Sequence, residues 1–187
     1  MADTPSPERP EGPALRDVEP DDLHVYLRIR CDPVMMADLG GPLPRAGMAE
    51  KVAADVRLVA EGRALIKMIV PDPARPGDVA GSVTLWRDEE ERRTEIGWTV
   101  LPEYQGRGLA KRATARVLEL AREQGRWGAV HAFPAVQNAA SNGVCRSLGF
   151  TLLGRTDVDF AGRILHCNHW VIDDAPAAEA SNGAAPR

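Results

Sequence analysis

Between Glu95 and Val100 apolar side chains fall on every second residue, with Ile96, Trp98 and Val100 alternating with Glu95, Gly97 and Thr99. A period of two is that of a strand with one face buried. Pro102 ends the run because it has no N–H to give to a ladder. From Leu109 the period lengthens: Leu109, Ala113, Val117, Leu120 and Ala121 recur at three- and four-residue intervals, which predicts an amphipathic helix. The same two periods organise the rest of the chain. Strands are expected at residues 15–18, 64–70, 79–86 and 129–132, and a closing hairpin at 151–156 and 164–172. Helices are expected at 23–30, after the acidic start Glu19-Pro20-Asp21-Asp22, and at 48–61, with a short one after Asn138. Met35, Met36 and Leu39 form an apolar cluster before the Gly40-Gly41-Pro42 break. Strands and helices mixed in this order predict one α/β domain.

The junction of the two periods carries the chemistry. Gln105-Gly106-Arg107-Gly108-Leu109-Ala110 turns the strand into the helix, and its glycines keep side chains away from the backbone. Free N–H groups at a helix start can converge on an anion, assisted by the helix dipole, so a pyrophosphate fits there. The dinucleotide fingerprint is excluded, because its third glycine position is Lys111, and the G-K-[ST] ending of a P-loop is missing as well.

What the residues do match is Q-x-x-G-x-A following V-x-P-x-Y. In this the stretch resembles the acyl-CoA-binding motif of the GNAT superfamily of N-acetyltransferases. A second segment, Asn138-x-x-Ser141 leading to Leu148-Gly149-Phe150, resembles the family's other signature; physically, Asn138 suits an N-cap and Gly149 a left-handed helix stop. The resemblance covers residues 15–173 and is closest to the branch of ribosomal-protein N-terminal acetyltransferases, through Asn138, Ser141, Asp32-Pro33 and Leu39-Gly40-Gly41-Pro42. It implies a GNAT-like fold, a mixed central sheet splayed at the cofactor site and flanked by helices, with acetyl-CoA as co-substrate. It further implies that Val100 lies near the pantetheine, and that the early helices form the acceptor side.

The cofactor-binding candidates are therefore the backbone amides of Gln105, Gly106, Arg107, Gly108, Leu109 and Ala110, together with Val100, Asn138 and Ser141. Arg107 is either a phosphate contact or a solvated side chain. Ser141 is either a pantetheine contact or a first-turn serine without a function. Acetylating an amine raises a proton problem, since a lysine-like ammonium is neutral in only on the order of one molecule per thousand at pH 7. Glu95 matches the position of a glutamate general base in similar acetyltransferases and is the catalytic candidate; the competing reading is an exposed strand carboxylate. Cys145 stands where many of these enzymes place a tyrosine acid. A thiolate leaving group needs little protonation, so Cys145 reads first as a small core residue. His166, Cys167 and His169 do not make a metal site, because alternation on a strand turns His166 away from the other two, and no metal is expected. His24 and His131 have no visible partner, and the four tryptophans read as core or cleft wall. The 88–93 charge run reads as a solvated turn.

Composition narrows the setting. The chain has 187 residues, 44% of them hydrophobic, enough for one domain with a substantial core. Residues 1–13 and 174–187 are rich in proline, alanine and polar residues and read as disordered tails, leaving 14–173 as the domain. A net charge of −4 gives no nucleic-acid footprint, and no apolar run is long enough for a membrane span. Three widely spaced cysteines and no basic-then-apolar leader point to the cytoplasm. The expected activity is direct acetyl transfer from acetyl-CoA to a primary amine of a small molecule or a protein N-terminus, with room for a homodimer. The rival is an acyl-CoA-binding regulatory or scaffold module without turnover.

Overall fold

A computed structural model of the chain describes residues 13–173. The expected tails at 1–13 and 174–187 thus lie outside the described residues, apart from Pro13. Seven strands form one mixed sheet in the order β1-β2-β3-β4-β5-β7-β6. They are β1 (Ala14–Asp17), β2 (Ala64–Val70), β3 (Gly81–Asp88), β4 (Arg93–Val100), β5 (Val130–Ala132), β6 (Thr151–Phe160) and β7 (Arg163–Ile172). All neighbours are antiparallel except β4 and β5.

Helices cover both faces, as alternation requires of strands whose two faces are both apolar. On one face α3 (Leu109–Gln124) and α4 (Ala139–Ser147) close a core with Val83, Leu85, Ile96, Val130 and Trp170. On the other, α1 (Leu23–Arg30) and α2 (Met48–Ala60) pack Val25, Ile29 and Val52 against Ile66 and Met68. A 3-10 turn at Pro20–Asp22 precedes α1, where the Asp22 carboxylate accepts from the backbone N–H of Glu19. The cluster after α1 closes on a second 3-10 turn, Ala37–Leu39, with Met36 buried.

The parallel pair is the feature that positions the site. β4 and β5 are matched only at Thr94 with Val130 and Glu95 with His131. Beyond Glu95 the two strands part. β4 stays with β3 as far as Val100 opposite Gly81, while the chain after β5 turns to β7 through Val136 N–H to the His166 carbonyl and Asn168 N–H to the Pro134 carbonyl. Pro134 has no N–H, so it could not extend a ladder toward β4. Gly81 lets the β3–β4 pair close tightly at the open end: a Cβ there would lie 2.0 Å from the Thr99 carbonyl oxygen.

The closing hairpin is longer than the 151–156 expectation for its first strand. β6 continues to Phe160 and turns at Ala161-Gly162, both at positive φ, the backbone of a tight two-residue hairpin turn. Val158 and Phe160 alternate with Asp157 and Asp159, so pairing with β7 extends the strand over a segment whose charged positions suggest a loop.

Candidate functional site

The parting of β4 and β5 opens a cleft of about 1270 Å³ that runs from the α3 N-terminus to the α1–α2 face. Glu95, Val100, Gln105, Gly106, Gly108, Leu109, Ala110, Asn138 and Ser141 all line it. Residues dispersed over some 47 positions are therefore brought to one groove by the splay.

At its anionic end the backbone does the work. Gly106 and Gly108 adopt left-handed conformations, φ 73° and 68°, which residues with a β-carbon rarely take. Gly108 is the N-cap of α3, and the first helical bond of this turn runs from Arg112 N–H to the Gly108 carbonyl. Among the described residues no acceptor meets the backbone N–H groups of Gly106, Arg107, Gly108, Leu109, Ala110 or Lys111. Unpaired donors at the positive end of a 16-residue helix suit a pyrophosphate.

Gln105 corrects one expectation. Its N–H donates to the Pro102 carbonyl and is not available to an anion; its side chain instead donates to the Val100 carbonyl at 2.8 Å, tying the strand end to the turn. Arg107 likewise folds back, donating to the Glu103 carbonyl and lying over the Tyr104 ring.

On the opposite wall Asn138 caps α4 by accepting from the Ser141 N–H at 2.9 Å. Behind it lies a residue that the motif reading passed over. Asn142 is 2% exposed, and its Oδ1 accepts from Trp170 Nε1 and Asn168 Nδ2 while its Nδ2 donates to the Ala135 and Asn138 carbonyls. It pins α4 to β7, and so sets the position of the Asn138–Ser141 wall. An asparagine one place after Ser141 carries no sequence signal, because its partners are up to 28 residues away.

Glu95 sits at the apex, as the last β4 residue matched with β5. Its side chain is 12% exposed, which removes the reading as an exposed strand carboxylate. Burial pushes its carboxyl above the ordinary glutamate value, and an ion pair with Arg93, Nε to Oε1 at 2.8 Å, works against that rise. Arg93 thus departs from the reading of residues 88–93 as a wholly solvated turn. His131 is not solitary either: its Nδ1 lies 2.8 Å from His169 Nε2, a pairing across 38 residues that no local pattern announces. Trp86, Trp98 and Trp127 line the cleft, and Trp170 is buried in the core.

Cys145 is fully buried in the α3–α4 core, and burial pushes its thiol up to about 12. At neutral pH such a group stays a thiol, as a packing residue does. Among the described residues no group of three His, Cys, Asp or Glu side chains could hold a metal ion, and no helix is long and apolar enough to cross a membrane.

A family model described as an acetyltransferase (GNAT) domain matches residues 14–151. The chain belongs to the GNAT acetyltransferases. Enzymes of this family are acetyl-CoA-dependent N-acetyltransferases, and acetyl-CoA is accordingly the co-substrate here. The structure of this GNAT enzyme is similar to an acetyltransferase from Salmonella typhimurium that modifies the N-terminal serine of ribosomal protein L7/L12 (TM-score 0.70, 18% identity, 85% of this chain and 93% of that one). It is similar also to yncA, a putative acetyltransferase from Salmonella typhimurium solved with acetyl-CoA (TM-score 0.67, 21% identity, 95% and 99%). A third is a spermidine N-acetyltransferase SpeG chimera from Vibrio cholerae and hSSAT (TM-score 0.68, 19% identity, 86% and 95%). No curated protein matches the chain in sequence. The binding-only alternative finds no support among these relatives.

Proposed function

We propose that this GNAT enzyme moves an acetyl group directly from acetyl-CoA to a primary amine, with Glu95 accepting the amine proton. The observation that carries the reading is the place of Glu95: a mostly buried carboxylate at the apex of the β4–β5 splay, in the same cleft as the free N–H groups of Gly106 to Ala110. When bound, acetyl-CoA supplies an activated thioester carbonyl. The α3 N-terminus would hold its pyrophosphate, and the Asn138–Ser141 wall would flank the pantetheine. With the thioester running along β4 from Val100 toward Glu95, the amine meets it from the α1–α2 side. Glu95 takes one proton from the ammonium, the freed lone pair forms the N–C bond, the C–S bond breaks with its electron pair on sulfur, and the second nitrogen proton passes to the departing thiolate or to water. Nothing in this sequence of events calls on Cys145.

The acceptor half of the cleft favours a monoamine over a polycation. Two of its carboxylates already have partners: Asp55 accepts from Lys51 and from the Tyr26 hydroxyl, and Glu95 is paired with Arg93, while Asp38 meets the Gln137 amide and Glu89 lies at the rim. Met36, Leu39, Trp86 and Phe133 supply apolar walls beside them. A single amine on an apolar body, whether a small molecule or a protein N-terminus, matches such a lining; a chain of several ammonium groups would have only Asp38 and Glu89 left to meet.

Two measurements test the reading. An acceptor panel scored by acetyl-CoA consumption should show phenethylamine or short peptides with apolar first residues acetylated faster than spermidine, and a spermidine preference would overturn the monoamine assignment. Glu95→Gln keeps size and removes basicity, and it should lower turnover roughly 100-fold or more near neutral pH while leaving the acetyl-CoA Kd unchanged. The deficit should narrow as pH rises, because more acceptor arrives neutral. Equal rates of wild type and variant from about pH 6 to 9 would eliminate Glu95 as the base.

A further inference from the structure

Glu95 does not stand alone at the apex. Arg93, two residues before it on β4, presents its side chain on the same face and reaches the carboxylate with Nε. The rest of its guanidinium lies over the Phe133 ring, Cζ 4.5 Å from the centroid, while Nη1 is 3.2 Å from Glu91 Oε2. Phe133 in turn stacks on His169 at 4.6 Å, and His169 shares a 2.8 Å hydrogen bond with His131, the residue matched with Glu95 across the parallel ladder. Side chains from three strands, β4, β5 and β7, are thus layered behind one carboxylate. Phe133 and Glu95 face the cleft.

Each layer has a physical task. A guanidinium over an aromatic face is held by cation–π attraction and loses little orientation when it binds a carboxylate. The stack of Phe133 on His169 fixes the ring that Arg93 rests on. The His131–His169 contact uses one N–H and one lone pair, so the pair keeps it when neutral or singly protonated, and burial together with the Arg93 charge lowers both imidazoles from their usual range. Both shifts disfavour an imidazolium beside Arg93. The remaining charges near the carboxylate, Asp88 and Glu91, act in the opposite direction, pushing its proton affinity up.

We propose that Arg93 is the positioning residue of the reaction: seated on Phe133 and bonded to Oε1, it holds the Glu95 carboxylate ionised and aimed into the cleft. This inference rests on Glu95 being the general base. The argument is one of balance. Burial and the charges of Asp88 and Glu91 all raise the proton affinity of this carboxylate, and a carboxyl that keeps its proton cannot take another. A cation at hydrogen-bond distance favours the charged form, typically by one to three pH units for a carboxyl next to an arginine. Arg93 both favours the ionised base and directs it; without Arg93 the ionisation moves to higher pH.

The test titrates Glu95 itself by carbon NMR of glutamate-labelled full-length protein, alongside the pH–rate profile with the best acceptor of the panel. In Arg93→Gln the Glu95 titration and the acid limb of kcat/KM should both move up by roughly one to three pH units. Turnover should then fall about tenfold or more at pH 7 and recover at higher pH. Arg93→Lys keeps a cation and should restore most of the neutral-pH rate. Phe133→Leu removes the seat but not the charge, and should give a smaller shift in the same direction. The acetyl-CoA Kd should not change in any of them. Identical Glu95 titrations in wild type and Arg93→Gln would overturn the proposal, as would a loss of rate that is uniform at every pH. If Arg93→Gln fails to fold, the Phe133→Leu titration decides by the same criterion. The two readings fail separately: full activity in Glu95→Gln removes the base itself, whereas a dead Glu95→Gln beside an unshifted Arg93→Gln removes only the role of Arg93.

Discussion

Replacing Asn142 by alanine should loosen the cofactor wall by a calculable amount. The orientation of this amide is fixed by chemistry: the Trp170 indole can only donate, so Oδ1 faces it and Nδ2 faces the Ala135 and Asn138 carbonyls. In Asn142→Ala the buried Trp170 N–H loses its acceptor, a loss of about 1–3 kcal/mol for an unsatisfied buried donor. The Ala135 carbonyl retains the Asn138 N–H and the Asn138 carbonyl retains the Asn142 N–H, so their losses are those of ordinary second bonds, about 0.5–1.5 kcal/mol each at most. Asn168 is only partly buried and can turn to water. The sum is roughly 2–6 kcal/mol, or a Tm lower by about 4–24 °C for a domain of this size. Urea or thermal unfolding measures it, and acetyl-CoA affinity should weaken as well because α4 carries Asn138 and Ser141. Asn142→Asp should be at least as damaging, since it aims a carboxylate oxygen at two carbonyls. A change below about 1 kcal/mol with unaltered cofactor affinity would refute the assignment of Asn142 as the pin between α4 and β7.

Three other outcomes follow from the same structure. Gly108→Glu should abolish acetyl-CoA binding by calorimetry, because it places bulk and negative charge at a left-handed turn whose N–H groups are meant for an anion, and an unchanged Kd would take the turn out of the site. Gly81→Ala should destabilise by about 1–3 kcal/mol or more in urea unfolding, since the new Cβ would collide with the Thr99 carbonyl; a neutral effect would mean that β3 and β4 can separate at no cost. Cys145→Ala should retain most acetyl transfer, and wild-type Cys145 should resist thiol reagents in the native state because its proton is held up to about 12; an acetylated Cys145 trapped during turnover would overturn direct transfer.

Much of this site is local in origin and was therefore legible along the chain. A period of two followed by a period of three to four predicts β4 and α3, and two glycines between them allow a turn with positive φ; the free N–H groups proposed for an anion thus come from residues contiguous in sequence. The Asn138 cap is equally local, its partner lying three residues on. Even Gln105 belongs to this motif, yet only the folded turn reveals that its N–H is spent on Pro102 and its side chain on Val100.

What the tertiary structure decided is the environment of Glu95. Its burial depends on β4 and β5 staying paired as far as Glu95 and His131, its ion pair on Arg93 turning inward from a charge run, and the seat of Arg93 on Phe133, His169 and His131, the two histidines lying 38 residues apart. Periodicity reports which face a residue occupies and nothing about which distant residue shares it. A carboxylate's proton affinity is set by exactly those distant neighbours, through burial and the charges at hydrogen-bond range. The sequence alone therefore determined a turn beside β4 whose free N–H groups suit an anion, and the packing of three strands determined the surroundings of Glu95, the carboxylate proposed as the base.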